Sequence, residues 1–334
     1  MKGLHLVEAT ASNREDWDAF VVGNGGRIFN TTHWTEMLQR AYGYKPARFV
    51  ARDEERRIQA LLGGVLTPRG RFVAVPFADY CNVIAQNEAS RNWLANAVVR
   101  DMQEREIPVE VSTTDNFIIK GLSQNHYADT FVLRTDAPFS DIWTSKMGRK
   151  TRNLVRKSRK SGITVERSDT IPDDYLPVYF TTMKRLGYPP LTRRFYNAME
   201  RSLRDMMRFY GAYHNGDLVA GLVCLIYNRV MHVWGNASLT DALRLAPNDG
   251  LYSRAIEDAC NGDIDMIDFG SSESGSTHAK FKLGFGGGAT PIFKHARGRR
   301  EKETSMGRVR NTLCRKIPLC LNDTFGTFVF EYLY

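Results

Sequence analysis

MRFYGAYHNGDLVAGLVCLI, Met207 to Ile226, reads as two apolar, β-rich runs around Asn215-Gly216. Asn-Gly between such runs is a hairpin dipeptide, because both residues tolerate positive φ. The stretch has a counterpart earlier in the chain. ARFVARDEERRIQALLGGVL, Ala47 to Leu66, aligns with it at a spacing of 160 residues, setting Arg48-Phe49 on Arg208-Phe209 and Ala60 on Ala220. The same spacing relates Thr32 to Thr192, each a predicted N-cap of a short amphipathic helix, HWTEMLQRAY or RRFYNAMERSL. It also relates SRNWLANAVVRDMQ to GLYSRAIEDACNG, and each of these helical stretches runs into a β-rich segment, IPVEVST or IDMIDFG. Each half therefore reads helix, strand, turn, strand, turn, strand, helix, strand. Several matches at one spacing, in one order, imply a duplication.

The whole chain has 334 residues, 43% hydrophobic and 25% charged, which suits two soluble domains with a sizeable core. The predicted division is a first domain over 1–140, a second over 141–298 and a basic helical tail over 299–334. No run approaches the ~18 apolar residues of a membrane span, and the N-terminus lacks the apolar stretch of a signal peptide. The cytoplasm is the default compartment. Five cysteines without a CxxC pair, and seven scattered histidines without HExxH, predict neither a disulfide framework nor a metal site. The net charge of +9 favours polyanionic partners: nucleic acid, a nucleotide-linked substrate or an anionic membrane surface.

The charge is concentrated. Lys146 to Lys160 holds eight Lys or Arg and no acid. On a helix, Arg149, Arg152, Arg156, Arg159 and Lys160 fall within about a third of the circumference, opposite Trp143, Met147 and Leu154. Such a helix docks by its apolar stripe and presents a cationic face that repels itself unless an anion is near. RNA backbone, a nucleotide diphosphate or anionic lipid would each serve. A solvated linker helix is the plainer alternative.

DFGSSESGSTHAKFKLGFGGG, Asp268 to Gly288, follows a predicted strand. It reads as a pliable loop crossing the sheet and a glycine-rich return, with Gly284 and Gly286 to Gly288 permitting close approach of a ligand to the backbone. Lys282 sits in that return, beside Phe281.

PFADYCN (Pro76 to Asn82), KMGRKTRNLVRKSRKSGITV, RLAPNDGLYSRAIEDA and DFGSSESGSTHAKFKLGFGG occur in this order. With the repeat, they make the chain resemble the Fem-type (FemAB/FemX-like) aminoacyltransferases over most of residues 30 to 295. That resemblance implies a mixed α/β fold of two tandem GNAT-like domains. It implies an N-acyltransferase moving an aminoacyl or acyl group to an amine of a cell-envelope or polysaccharide precursor, such as one of peptidoglycan, or to a small amine. It also implies no tightly bound cofactor: the acyl donor is a co-substrate, aminoacyl-tRNA or acyl-coenzyme A. Lys282 falls where the family has a lysine near the transfer site, and Asp268 is either catalytic or structural. Arg193, Tyr196, Trp234, Asn236 and Phe281 are candidates to line the substrate, together with Arg149, Arg152 and Arg156 for its phosphates. Asp79 and Tyr80 match a DYG-like turn in which Cys81 replaces the glycine.

The chain departs from ordinary GNAT sequences at RLAPNDG. A coenzyme A pyrophosphate is cradled by backbone N–H groups of a Gly-rich turn, but Ala246-Pro247-Asn248 stands there, and Pro247 has no N–H. No long helical insertion of the kind that serves tRNA in some relatives is present. The basic tail and its closing TFGTFVFEYLY admit a terminal helix packed on the core, or peripheral contact with an anionic membrane. The reading from another class is a non-catalytic RNA-binding protein using the helix at 146–160.

Overall fold

The computed structural model describes residues 3–9, 13–74, 76–297, 312 and 314–330. These form two compact units, the first built on Met1–Ala128 with the chain from Pro291, the second on Asp129–Thr290 with the later helical segment up to Val329.

The first unit runs β1 (His5–Glu8), α1 (Arg14–Gly23), α2 (Thr32–Tyr42), β2 (Lys45–Arg52), β3 (Ile58–Leu66), β4 (Phe72–Val73), β5 (Ile84–Ala85), α3 (Glu88–Glu104) and β6 (Val109–Thr113). β1, β2 and β3 pair antiparallel in sequence order, and β4 joins β3 to β6, to which it runs parallel. Phe293 to Ala296 then add an antiparallel strand on β6. Phe49, Leu62, Phe72, Leu94, Val98 and Val111 form the core against α3. The third strand of the predicted repeat is broken here. β4 and β5 are two residues each, separated by the loop that carries Pro76 to Asn82. Phe77 has φ 62°, a left-handed conformation strained for so bulky a residue. Asn82 ties the loop down by bonding both the side chain and the backbone N–H of Thr114 at 2.8 Å.

The second unit runs from β7 (Ser123–Arg134) through α4 (Phe139–Asp141), α5 (Arg149–Lys160), β8 (Ile163–Ser168), α6 (Tyr175–Leu186), α7 (Arg193–Leu203), β9 (Met207–His214), β10 (Asp217–Tyr227), β11 (Val230–Ser238), α8 (Pro247–Cys260), β12 (Met266–Ser272) and α9 (Thr277–Gly284) to β13 (Gly288–Ala296), with α10 (Asn322–Phe328) returning to it. Its sheet order is β8-β9-β10-β11-β12-β7. Helix α8 covers one face, with Leu251, Ala255 and Ile256 packed on Leu222, Met231 and Phe269. On the other face Tyr175 of α6 meets Phe209 edge-on at 5.1 Å.

The hairpin predicted at Asn215-Gly216 is present, with φ 55° and 89°. Asn228-Arg229 makes the next one, again with both φ positive. Thr192 caps α7 by accepting from Phe195 N at 3.1 Å. In the first unit the cap is Thr31, not the expected Thr32. Thr31 accepts from Trp34 N, while the Thr32 hydroxyl donates to the Asp18 carboxylate.

Two further expectations are corrected. Helix α5 docks by Thr151, Val155 and Ser158, and Leu154 is only half-buried. Small side chains win because α8 comes close: a Cβ on Gly250 would stand 2.7 Å from Ser158 Oγ. The region after Ser276 is a helix, α9, rather than a loop or returning strand. Ser276 caps it by accepting from Ala279 N at 3.1 Å, and the glycines fall at and beyond its end. Those glycines serve packing: a Cβ on Gly284 would meet Thr151 Oγ1 at 2.4 Å, and one on Gly286 would meet Lys146 Cβ at 2.7 Å.

Gly286 also has φ +91°. Gly286→Ala should therefore cost about 2 kcal/mol or more in urea unfolding, from strain plus collision. Gly216→Ala, at φ +89° in open space, should cost only about 1 kcal/mol. Equal losses would contradict this packing role.

Candidate active site

The site is built on a fork in the second sheet. β11 and β12 run parallel through three pairs, ending at His232 and Asp268. Beyond them β11 continues on β10 and β12 continues on β7. Each strand is kinked at the fork. In β11 the register steps from Val223↔Gly235 to Cys224↔Val233, leaving Trp234 as a bulge. In β12 it steps from Asp268↔Val132 to Ser271↔Thr130, with Gly270 at φ 74°.

Side chains named from the sequence hold the β12 kink. Asp268 is 1% exposed, and its Oδ1 accepts from Gly270 N at 2.9 Å and from the Thr130 hydroxyl. Its Oδ2 lies 3.5 Å from Nδ1 of His232, which is also buried. Lys282, 8% exposed, reaches from α9 and donates its ammonium to the carbonyls of Gly270 at 3.0 Å and Ser271 at 2.7 Å. The Phe131 ring lies 5.8 Å from that nitrogen. The two charged residues thus meet at one turn of backbone. His232 escaped the sequence reading; its one signal was a histidine inside the apolar run VMHVW.

The other lip of the fork is aromatic and amide-rich. Trp234 stacks on Phe195 at 5.6 Å and meets Tyr196 edge-on at 6.3 Å. Tyr196 in turn contacts Tyr179 at 5.2 Å and Tyr175 at 6.0 Å. Burial pushes the Tyr179 phenol up to about 12, and drives those of Tyr175 and Tyr196 upward as well. These phenols are neutral hydrogen-bonding groups at physiological pH, not bases. Asn236 donates to Gly221 O at 3.1 Å and to Asn248 Oδ1 at 3.2 Å, which fixes the amide beside α8.

A GNAT-type cradle for a coenzyme A pyrophosphate would lie at the N-terminus of α8. Ala246 there is left-handed at φ 59° and Pro247 opens the helix without an N–H. Asp249 follows in the first turn. It is 7% exposed, and burial raises its carboxyl to about 6. Its Oδ1 has no hydrogen-bond partner among the described residues, and the same holds for Ser253 Oγ and Ser158 Oγ. A buried carboxylate where a diphosphate would sit does not fit that group.

The remaining candidates are dispersed. Arg149 and Arg156 are exposed on α5, with Arg156 set 5.4 Å over the Trp143 ring. Arg152 instead turns back, donating to the carbonyls of Trp143 at 3.0 Å, Thr144 at 2.8 Å and Met147 at 3.2 Å. Arg193 opens α7; its backbone N–H donates to Asp323, and its exposed guanidinium lies 4.0 Å from Asp173. Phe281 packs on Tyr252 at 5.0 Å and Phe285 at 5.1 Å. Asp79, half-buried, and Tyr80, buried, belong to the first unit's broken strand. Among the described residues no group of His, Cys, Asp and Glu could hold a metal ion, and no helix is long and apolar enough to cross a membrane.

Residues 145–282 match the family described as "Acetyltransferase (GNAT) domain". No curated protein matches the sequence. The fold is similar to that of FemX, with TM-score 0.62 and 13% identity over 87% of this chain and 96% of that one. It is similar to L-PGS from Bacillus licheniformis, with TM-score 0.56 and 12% identity over 90% and 97%. It is also similar to a tandem GNAT protein from the clavulanic acid biosynthesis pathway, with TM-score 0.53 and 12% identity over 89% and 100%. The fold is thus GNAT-like over residues 145–282 and similar as a whole to Fem-like tandem GNAT proteins, and the expected mixed α/β architecture holds. A GNAT domain implies a co-substrate of the acyl-coenzyme A type; the α8 N-terminus lacks the cradle for it.

Because burial raises Asp249 above its ordinary 3.8, its stabilising share is full below that value and is lost as pH rises through about 6. Asp249→Asn should be more stable than the natural protein at neutral pH, by about 1–3 kcal/mol. In urea titrations the gap should close as pH falls from neutral toward 4; a constant gap would contradict the burial of an unpaired carboxyl.

Proposed function

We propose that the chain is an N-acyltransferase whose donor is an aminoacyl ester, aminoacyl-tRNA in the first instance, and whose acceptor is an amine on a cell-envelope or polysaccharide precursor. The carrying observation is the fork: two parallel strands part after three pairs, beside a buried ammonium, while the usual diphosphate cradle is closed by Pro247 and Asp249. A neutral amine attacks the ester carbonyl, and an oxyanion forms. That attack makes the C–N bond; the oxyanion then collapses, the C–O bond breaks, and the amine's proton passes to the departing ribose oxygen, which leaves as a hydroxyl. Lys282 supplies positive charge in a dry setting where the oxyanion develops, and it orients the Gly270 and Ser271 backbone along one lip. Asp268 positions that backbone from the other side. Trp234, Tyr196 and Asn236 line the opposite lip, with Phe281 on α9 packed against Tyr252. Arg149 and Arg156 on α5 meet the donor's phosphates, Arg152 holds the turn that presents them, and Arg193, Asp79 and Tyr80 are assigned to the acceptor. The setting is the cytoplasm.

Labelled aminoacyl-tRNA and labelled acyl-coenzyme A, each offered with a pool of amine acceptors, test this reading. Transfer should come from the charged tRNA and fall at least about a hundredfold in Lys282→Met. Transfer from acyl-coenzyme A alone would overturn the donor assignment. The exposed cations of α5 favour one other reading, a non-catalytic RNA-binding protein. It would show salt-sensitive tRNA binding, no transfer from either donor, and indifference to Lys282→Met. In either case Arg149→Gln with Arg156→Gln should reduce the salt slope of tRNA binding by about two, as read from filter binding across a salt series.

A further inference from the structure

Beside Arg193, the second unit has a surface whose apolar side chains the transfer chemistry does not use. Eleven large apolar side chains are exposed in the described chain, and five of them fall in two short segments: Leu186 and Tyr188 at the end of α6, and Leu319, Leu321 and Phe328 around α10. Singly exposed apolar residues are ordinary, but a cluster marks an interaction surface. The segments adjoin. The backbone of Gly326 lies so close to Pro190 that a Cβ would stand 2.2 Å from its carbonyl oxygen. Asp323 accepts from Arg193 N across the same junction.

The charge around the cluster is one-sided. Residues 184–194 and 314–328 hold Lys184, Arg185, Arg193, Arg194, Arg315 and Lys316 against one acid, Asp323, with Asp173 4.0 Å from the Arg193 guanidinium. Asp323 already accepts the Arg193 N–H. Protein–protein interfaces are depleted in lysine and in unpaired charge at their centres. Apolar tips and a tyrosine set among cations are what an anionic bilayer recognises: the tips enter the headgroup region, and each cation gains from the surface potential.

We infer that the α6–α7 turn and the α10 segment form a docking surface for an anionic phospholipid bilayer, bound at its face without being crossed. The inference stands independently of the acyl-transfer reading, since it requires only the surface. It differs from the tail contact expected from sequence in resting on Leu186 and Tyr188 of the domain itself; the basic stretch from 299 to 311 lies outside the described residues.

Sedimentation of the full chain with vesicles of phosphatidylcholine, with or without phosphatidylglycerol, tests it. Binding should require phosphatidylglycerol and weaken with salt. Leu321→Glu with Phe328→Glu should reduce it at least tenfold while circular dichroism stays unchanged. Tyr188→Glu, on the α6 side, should do the same and serves if the double variant fails to fold. Arg315→Gln and Lys316→Gln should each cost roughly fivefold. Three outcomes would each overturn the inference: no preference for the anionic vesicles, natural-level binding by folded glutamate variants, or protection of this surface from hydrogen exchange by tRNA but not by vesicles.

Discussion

The contact between the Lys282 ammonium and the carbonyls of Gly270 and Ser271 sets the geometry of the second unit. A buried ammonium costs several kcal/mol unless its N–H groups find acceptors, and the kinked backbone of β12 supplies them. The kink needs its own support, because a bulge interrupts the ladder. Asp268 provides it from the opposite side, through Gly270 N and the Thr130 hydroxyl. Cation and carboxylate thus stabilise one turn of backbone between them. β12 stays on β7 through this kink while β11 stays on β10, and the two strands part there. The fork lies where the two charged side chains are buried.

The duplication shows what this device adds. In the second unit the third strand of the repeat, β11, is nine residues long and continues to Ser238, past the fork. In the first, the corresponding chain is split into β4 and β5 by the loop containing Pro76. A proline cannot donate to a sheet ladder, so the strand fails there. The first unit's β6 accordingly keeps short parallel pairing with β4 and receives β13 on its other edge. One order of elements is thus forked in the second unit and unforked in the first.

Much of this was legible in the sequence. Periodicity and turn chemistry are local, so the repeat, the Asn215-Gly216 hairpin and the Thr192 cap could be read directly. Lys282 and Asp268 were identifiable as candidates, but their convergence on one bulge depends on register between β12 and β7, which no local pattern encodes. Helix α9 was missed because the cluster after Lys282 reads as loop, whereas Ser276 starts a helix and the glycines sit at its far end, packed against α5. Arg152 reads as part of a cationic face, yet the turn before α5 brings three carbonyls within its reach. His232 was hidden because its meaning lies in a neighbour thirty-six residues later, Asp268.

The measurement that tests the fork most directly is photo-crosslinking with aminoacyl-tRNA whose amino acid carries a photoreactive group, followed by peptide mapping. If the acyl group passes between the parted strands, the label will fall on Trp234 to Asn236 and on Gly270 to Ser272. Label confined to other segments, such as the loop from Pro76 to Asn82 or the exposed face of α5, would contradict the assignment of the fork as the transfer site.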